Sequence, residues 1–198
     1  MSTSLTYFDF DGSRGLECRL ALTVAGVPFE DRRLNRAQWM ALKPTVPFGA
    51  LPVLEEDGRV LAQSNAILRY VGATHGLHPS DPWTAARHDA LMQSVEDLRH
   101  KVPGTGLSDE DKKTQREEFA AGWLTRWATS VSEQIAGPFV EGDALNVVDL
   151  KLYTILRAYL AGGYDHIPAS LFDAFPAIGA LYAAVGAHPA VKAYFDGR

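Results

Sequence analysis

The chain has 198 residues, 46% apolar and 22% charged, an ordinary globular composition with enough material for one core or two small ones. Nineteen Lys and Arg against 24 Asp and Glu leave a net charge of −5, which excludes a broad basic footprint for nucleic acid. One cysteine, Cys18, and no CxxC pair exclude an internal disulfide and a dithiol redox centre. The opening MSTSLTYFDF lacks a basic segment followed by an apolar one, and no apolar run approaches the ~18 residues of a membrane span, so a cytoplasmic protein without a membrane partner is expected.

Residues 5–75 alternate strand-like and helix-like stretches, as a small α/β unit does. LTYF (5–8) reads as a first strand. RGLECRLALTVAG (14–26) reads as a helix with Leu16, Leu20 and Val24 on one face and Gly26 as its stop. PFEDRRL (28–34) is a second strand. LPVLEEDGRVLA (51–62) sets Asp57-Gly58 between two short apolar runs, a hairpin signal. SNAILRYVGATHG (64–76) opens on Ser64 as a helix cap and closes on Gly76. This βαβ then ββα order is that of a thioredoxin-like half.

Strands then stop. Residues 77–82 read as a linker between a domain over 1–76 and an all-helical one over 83–198, with HPSDPW supplying two prolines and a polar break. Helical patterns cover 83–102, 109–135 with Ser108 as cap, 146–161, 174–186 and 189–196. NVVDLKLYTILRAYLAGG is apolar nearly all round, with Val148, Leu152, Ile155 and Tyr159 on one side and Leu150, Tyr153 and Leu160 on another, as at the centre of a bundle. His75 and His78 have no carboxylate pair beside them, so no metal is expected.

Four stretches, LTYFDFDGSRG, RAQWMALKPTVPFGALPVLEEDG, LAQSNAILRYV and NVVDLKLY, together resemble the cytosolic glutathione transferases, most closely the tyrosine-type sigma class that includes haematopoietic prostaglandin D synthases. The match runs over nearly the whole chain and is most specific from Trp39 to Tyr70. The resemblance implies a thioredoxin-like domain joined to an all-helical one, a homodimer, glutathione as co-substrate and no permanently bound cofactor. It further implies that Ala50, Leu51 and a cis Pro52 make a turn exposing the Leu51 backbone to the cysteinyl part of glutathione. Gln63 and Ser64, at a helix start where free N–H groups favour an anion, would hold the γ-glutamyl carboxylate. Trp39 and Lys43, an i,i+4 pair, would reach the glycine carboxylate, and Asp97 the ammonium of the glutathione on the partner subunit. Phe48 stands where relatives carry an aromatic key for the partner subunit. Asn146 with Asp149 resembles the family's helix-capping box, a folding device. Singly these signals also fit an edge-strand proline, a plain helix cap and a surface tryptophan under a lysine stem.

Laid along these contacts, glutathione brings its sulfur to the first helix beside the Tyr7 hydroxyl. A phenol donating to sulfur favours thiolate over thiol, and Arg14 adds positive potential. The loop from Tyr7 to Arg14 is one residue longer than in the animal relatives and introduces Ser13, which competes for the role, since other classes use a serine there. Cys18 lies a turn too deep for the cysteine-type classes and reads as a core thiol. The second substrate, a small hydrophobic electrophile, is expected in a cleft between the domains. Phe8 and Phe10 would line one side and Arg99, Val102 and Pro103 the other, under Tyr153 and Leu156. VPGTG (102–106) replaces the tryptophan of the prostaglandin synthases, so their substrate is not carried over. Three readings remain: a transferase, a glutathione-dependent peroxidase, isomerase or reductase on the same thiolate, and a non-catalytic protein retaining the fold.

Overall fold

Strand β1 (Thr3–Phe8) is the hub of the first unit, with Ser4 through Tyr7 all buried. In the computed structural model, which describes residues 2–104 and 106–197, it pairs parallel with β2 (Glu30–Leu34) and antiparallel with β3 (Val53–Glu56). Strand β3 pairs antiparallel with β4 (Arg59–Ala62), for the order β2-β1-β3-β4. Asp57 and Gly58 close the hairpin with φ of 47° and 79°, the pair of positive angles that matches the twist of the flanking strands. Helix α1 (Ser13–Val24), buried from Gly15 to Leu22, packs against α3 (Ser64–His75) and α9 (Pro189–Asp196). The short α2 (Arg36–Leu42) carries a capping box in which Asn35 and Gln38 satisfy each other's backbone N–H. A thioredoxin-like sheet with its helices, then an all-helical domain, is the architecture.

By its internal contacts the chain forms two units, Met1–Ala85 together with His188–Arg198, and Ala86–Ala187. The break falls in the first turn of α4 (Pro82–Lys101), whose opening proline has no helical N–H to lose. The pattern over 109–135 resolves into α5 (Asp109–Phe119), a π turn over Ala120–Leu124, and α6 (Thr125–Ser132). The Thr125 hydroxyl donates to the Ala120 carbonyl five residues back at 2.8 Å, a bond that suits the wider turn. Ser108 caps α5 as expected.

Helix α7 (Val147–Leu160) is buried on every side over Val147–Leu156. Asp149 holds its entry: Oδ2 accepts the Asn146 N–H at 2.7 Å and Oδ1 the Val140 N–H at 2.8 Å, so the expected capping box is present. Burial pushes the Asp149 carboxyl up to about 6 despite those backbone donors. Helix α8 (Pro176–Ala187) follows a 3-10 stretch over Ala169–Ala174. Among the described residues no helix is long and apolar enough to cross a membrane.

One expectation needs correction. Ser64 is the first residue inside α3, and Gln63 is its cap position, with φ of 75° and no side-chain capping bond. The left-handed turn out of β4 falls on Gln63, although serine is the better capping residue type.

Candidate active site

Strand alternation puts Tyr7 on the α1 face of the sheet. Its ring rests on the backbone of Gly15, where a Cβ would come within 2.0 Å of the Tyr7 Cδ1. Only glycine allows this approach, and it brings the ring of a 5% exposed tyrosine against the first turn of α1. The first i to i−4 bond of that helix runs from Leu16 N to Gly12 O, so the N–H groups of Ser13, Arg14 and Gly15 lie at its positive end. No acidic residue lies in that turn to oppose them. Ser13 has φ of 53°, a conformation costing an L-residue about 1–2 kcal/mol.

Arg19 explains how the connection from β1 keeps its shape. Its fully buried guanidinium sits 5.8 Å from the Tyr7 ring centroid and donates to the carbonyls of Phe10 (2.9 Å) and Phe8 (3.2 Å), and to Asp31 Oδ1 (2.8 Å). Arg33 continues the network, from Nε to Asp31 Oδ2 (2.7 Å), Nη2 to Asp11 Oδ1 (2.7 Å) and Nη1 to Asp9 Oδ1 (3.2 Å). Burial alone would raise the Asp31 carboxyl, yet hydrogen bonds from Arg19 and Arg33 hold it below its usual range. Arg33 is stabilised as a cation because its bonds to Asp11, Asp31 and Asp9 outweigh its burial.

Sheet register gathers the remaining expected glutathione residues. Thr6 pairs with Val53 and Val53 with Ala62, so one step on, Tyr7, Pro52 and Gln63 stand side by side at the same end of three neighbouring strands. The Leu51–Pro52 peptide is cis, and Ala50 before it is extended. Trp39 packs edge-on against Phe8 at 5.9 Å, and Lys43 follows at the end of α2. Among the described residues, no hydrogen bond or ion pair joins the Trp39 indole, Lys43 ammonium, Gln63 amide or Ser64 hydroxyl to another side chain. No group of three or more metal-ligating side chains occurs there either.

Two family models match the chain: the N-terminal domain of glutathione S-transferase over residues 3–73 and the C-terminal domain over 96–198. The chain belongs to the glutathione S-transferase family. It is 30% identical to the probable glutathione S-transferase 7 of Caenorhabditis elegans over 202 residues, covering 98% of this chain and 95% of that one. Against glutathione S-transferase 1 of Ascaris suum the identity is 44% over 121 residues, 59% of this chain and 58% of the Ascaris protein. The structure of prostaglandin synthase D from Nilaparvata lugens superposes with a TM-score of 0.86 at 31% identity, over 100% of this chain and 98% of that one.

In the helical unit of this glutathione S-transferase, the expected electrophile residues divide between two places. Arg99, beside exposed Asp97 on α4, donates from Nη1 to Glu96 Oε1 at 2.6 Å, and the wholly buried Lys151 donates to the same oxygen at 2.6 Å. Tyr153 instead faces α8, stacked on Tyr182 at 4.9 Å with Gly186 against its ring edge. Burial raises its hydroxyl pKa. The side chain that α7 presents to Arg99 is thus Lys151, and Leu156 is buried in the core. Val102 and Pro103 are half-buried beyond α4, and Arg116 Nε donates to the Pro103 carbonyl at 2.8 Å. Thr105, in the VPGTG stretch, lies outside the described residues.

Sequence reasoning missed Arg19 and Lys151. Each is a single cation between apolar residues of a helix, CRLAL and LKLY. A charge kept at a core position signals a buried partner.

Proposed function

We propose that the protein is a glutathione transferase that binds glutathione along the end of its four-stranded sheet and activates the thiol with Tyr7. The observation that carries this is the register placing Tyr7, Pro52 and Gln63 side by side. Three strands ~4.8 Å apart span about 10 Å, the length of an extended tripeptide. Ser64 and Gln63 take the γ-glutamyl carboxylate at the N-terminus of α3, and Leu51 pairs with the cysteinyl backbone. Trp39 and Lys43 take the glycine carboxylate.

The thiol gives up its proton to solvent, and the Tyr7 hydroxyl donates to the resulting thiolate. A sulfur lone pair attacks the electrophilic carbon of the second substrate, and the leaving group departs with the bonding pair. Arg14 and the α1 N-terminus add positive potential. Phe8 and Phe10 are assigned to a small apolar electrophile, as are Arg99, Val102 and Pro103, and the protein to the cytoplasm. We also assign a homodimer in which Asp97 reaches the glutathione of the partner subunit. Phe48 supports it, being 79% exposed at φ of 59°, a conformation that costs a bulky residue about 1–2 kcal/mol and that burial in a second copy would offset. Light scattering on Phe48→Ser is expected to show a monomer. An intact dimer would remove Phe48 from the interface.

A thiol titrates near ~8.5, and lowering it to about 6.5 takes about 2.7 kcal/mol. A hydrogen bond to a charged group supplies roughly 1.5–3 kcal/mol and a helix end roughly 0.3–1. Tyr7→Phe should therefore raise the bound thiol's pKa by roughly one to two units and cut chlorodinitrobenzene turnover roughly 10- to 100-fold at neutral pH. The thiolate absorbance of the glutathione complex, titrated in wild type, Tyr7→Phe and Ser13→Ala, is the measurement. A shift in Ser13→Ala alone would transfer the role to the serine, and no thiolate in any of them would leave a protein that only retains the fold.

A further inference from the structure

We propose that Tyr194, on helix α9, is a positioning residue for thiol activation, setting the connection between β1 and α1 through Asp11. The inference rests on the reading of Tyr7 and the α1 N-terminus given above. It deepens that reading by adding a residue 183 positions from Asp11 in the chain.

The Tyr194 hydroxyl donates to Asp11 Oδ1 at 2.6 Å and accepts from Arg33 Nη2 at 3.3 Å, while the same Nη2 donates to Asp11 Oδ1 at 2.7 Å. With its oxygen accepting from an arginine, the phenol directs its proton to the carboxylate. The three groups close a triangle drawn from β2, the loop and α9. Asp11 is the last side chain before Gly12 and Ser13, and Ser13 opens α1 in a left-handed conformation. Such a backbone persists only where its surroundings over-determine it. Upstream, Arg19 fixes the carbonyls of Phe8 and Phe10, and the Phe10 ring lies 3.1 Å from where a Gly12 Cβ would be. Downstream, Gly15 carries the Tyr7 ring. Asp11 is therefore the joint at which the loop is aligned with the helix, and α9 holds it. Freeing that joint tilts the N–H groups of Ser13 and Arg14 relative to the Tyr7 hydroxyl. Tyr194 acts through Asp11 and Arg33, neither of which is assigned to glutathione or the electrophile, so its effect is expected on activation.

The test is Tyr194→Phe, which keeps the ring packed on Phe195 and removes only the hydroxyl, with Asp11→Asn and the double variant beside it. In Tyr194→Phe the glutathione thiol pKa should rise by roughly half a unit to one unit, and kcat at neutral pH should fall about 3- to 10-fold, as small misplacements of reacting groups do. The KM for glutathione should stay unchanged. The double variant should be no worse than Asp11→Asn alone. Amide hydrogen exchange over residues 9–16, measured without glutathione, should accelerate in Tyr194→Phe. Unchanged exchange and unchanged titration overturn the inference, as does a variant that loses thermal stability while keeping the wild-type thiol pKa. Accelerated exchange in a protein whose wild type forms no thiolate overturns the reading of Tyr7 instead, and with it any part for Tyr194 in activation.

Discussion

Two aspartates, the half-buried Asp31 beside the loop after β1 and the fully buried Asp149 at the entry to α7, are satisfied by different chemistry. Asp31 sits between two guanidinium groups and is held acidic, whereas Asp149 is surrounded by backbone N–H groups and is pushed up to about 6. Full charges offset the desolvation of a carboxylate, and peptide dipoles offset only part of it. The distinction extends to the loops. Arg19, Arg33 and Tyr194 hold the connection after β1 at every residue from Phe8 to Asp11. Among the described residues, the connection after α4 is held through Arg116, which donates to the Pro103 carbonyl and also to that of Asp165. The charge-paired region is fixed in place, as thiol activation demands. On the proposed reading, the carbonyl-held region serves the electrophile rather than the thiol.

The strongest way to break this contrast is Arg19→Met, which takes the donor from the Phe8 and Phe10 carbonyls and leaves Asp31 with Arg33 as its remaining arginine. It should destabilise the first unit by about 3–5 kcal/mol in urea unfolding, and a loss below about 1 kcal/mol would mean the loop does not depend on Arg19. Next is the pH response. With a folded-state pKa near 6 against 3.8 unfolded, Asp149 favours the fold most fully below about pH 4, and that contribution is lost as pH rises through about 6, a span of about 3 kcal/mol. Asp31, shifted down, acts the other way: its contribution is full above about pH 4 and is lost in stronger acid. Burial lowers the pKa of His88, so its contribution grows as pH rises toward about 6.5, in the variant as in the wild type. The stability difference between wild type and Asp149→Asn should therefore shrink between about pH 4 and about pH 7, and a flat difference would place Asp149 with the ordinary carboxylates. Arg116→Met is the mildest change, expected at about 1–2 kcal/mol. It should weaken apparent affinity for the electrophile and leave the thiol titration unmoved; a shifted titration would show that the loops are not independent.

Much of this was readable in advance because it is local. The Asp57-Gly58 hairpin, the Asn146 to Asp149 box and the all-round apolarity of α7 each lie within a few residues, where periodicity and turn chemistry are informative. The Gln63 cap was misplaced by one position, since residue preference favours serine and the direction of the chain leaving β4 decided otherwise. The π turn left no trace, as its apolar residues keep a helical spacing through 120–124. Arg19 and Lys151 were visible as isolated charges, but their partners Asp31 and Glu96 lie 12 and 55 residues away, and single-sequence patterns do not connect such pairs. The stacking of Tyr153 on Tyr182 was not readable for a related reason: on a helix buried all round, composition does not say which face meets α8.

The span of 183 residues between Asp11 and Tyr194 also sets an order in time. On a ribosome adding roughly 5–20 residues per second, the two are made roughly ten to forty seconds apart. Strand β1, helix α1 and the arginine-bound loop can form early, while the residue that closes the triangle does not exist until the intervening helices have been synthesised. A partly made chain can thus own a sheet and a tyrosine without the finished alignment that lowers a thiol's pKa, so the reactivity of the site is withheld until nearly all the protein is present.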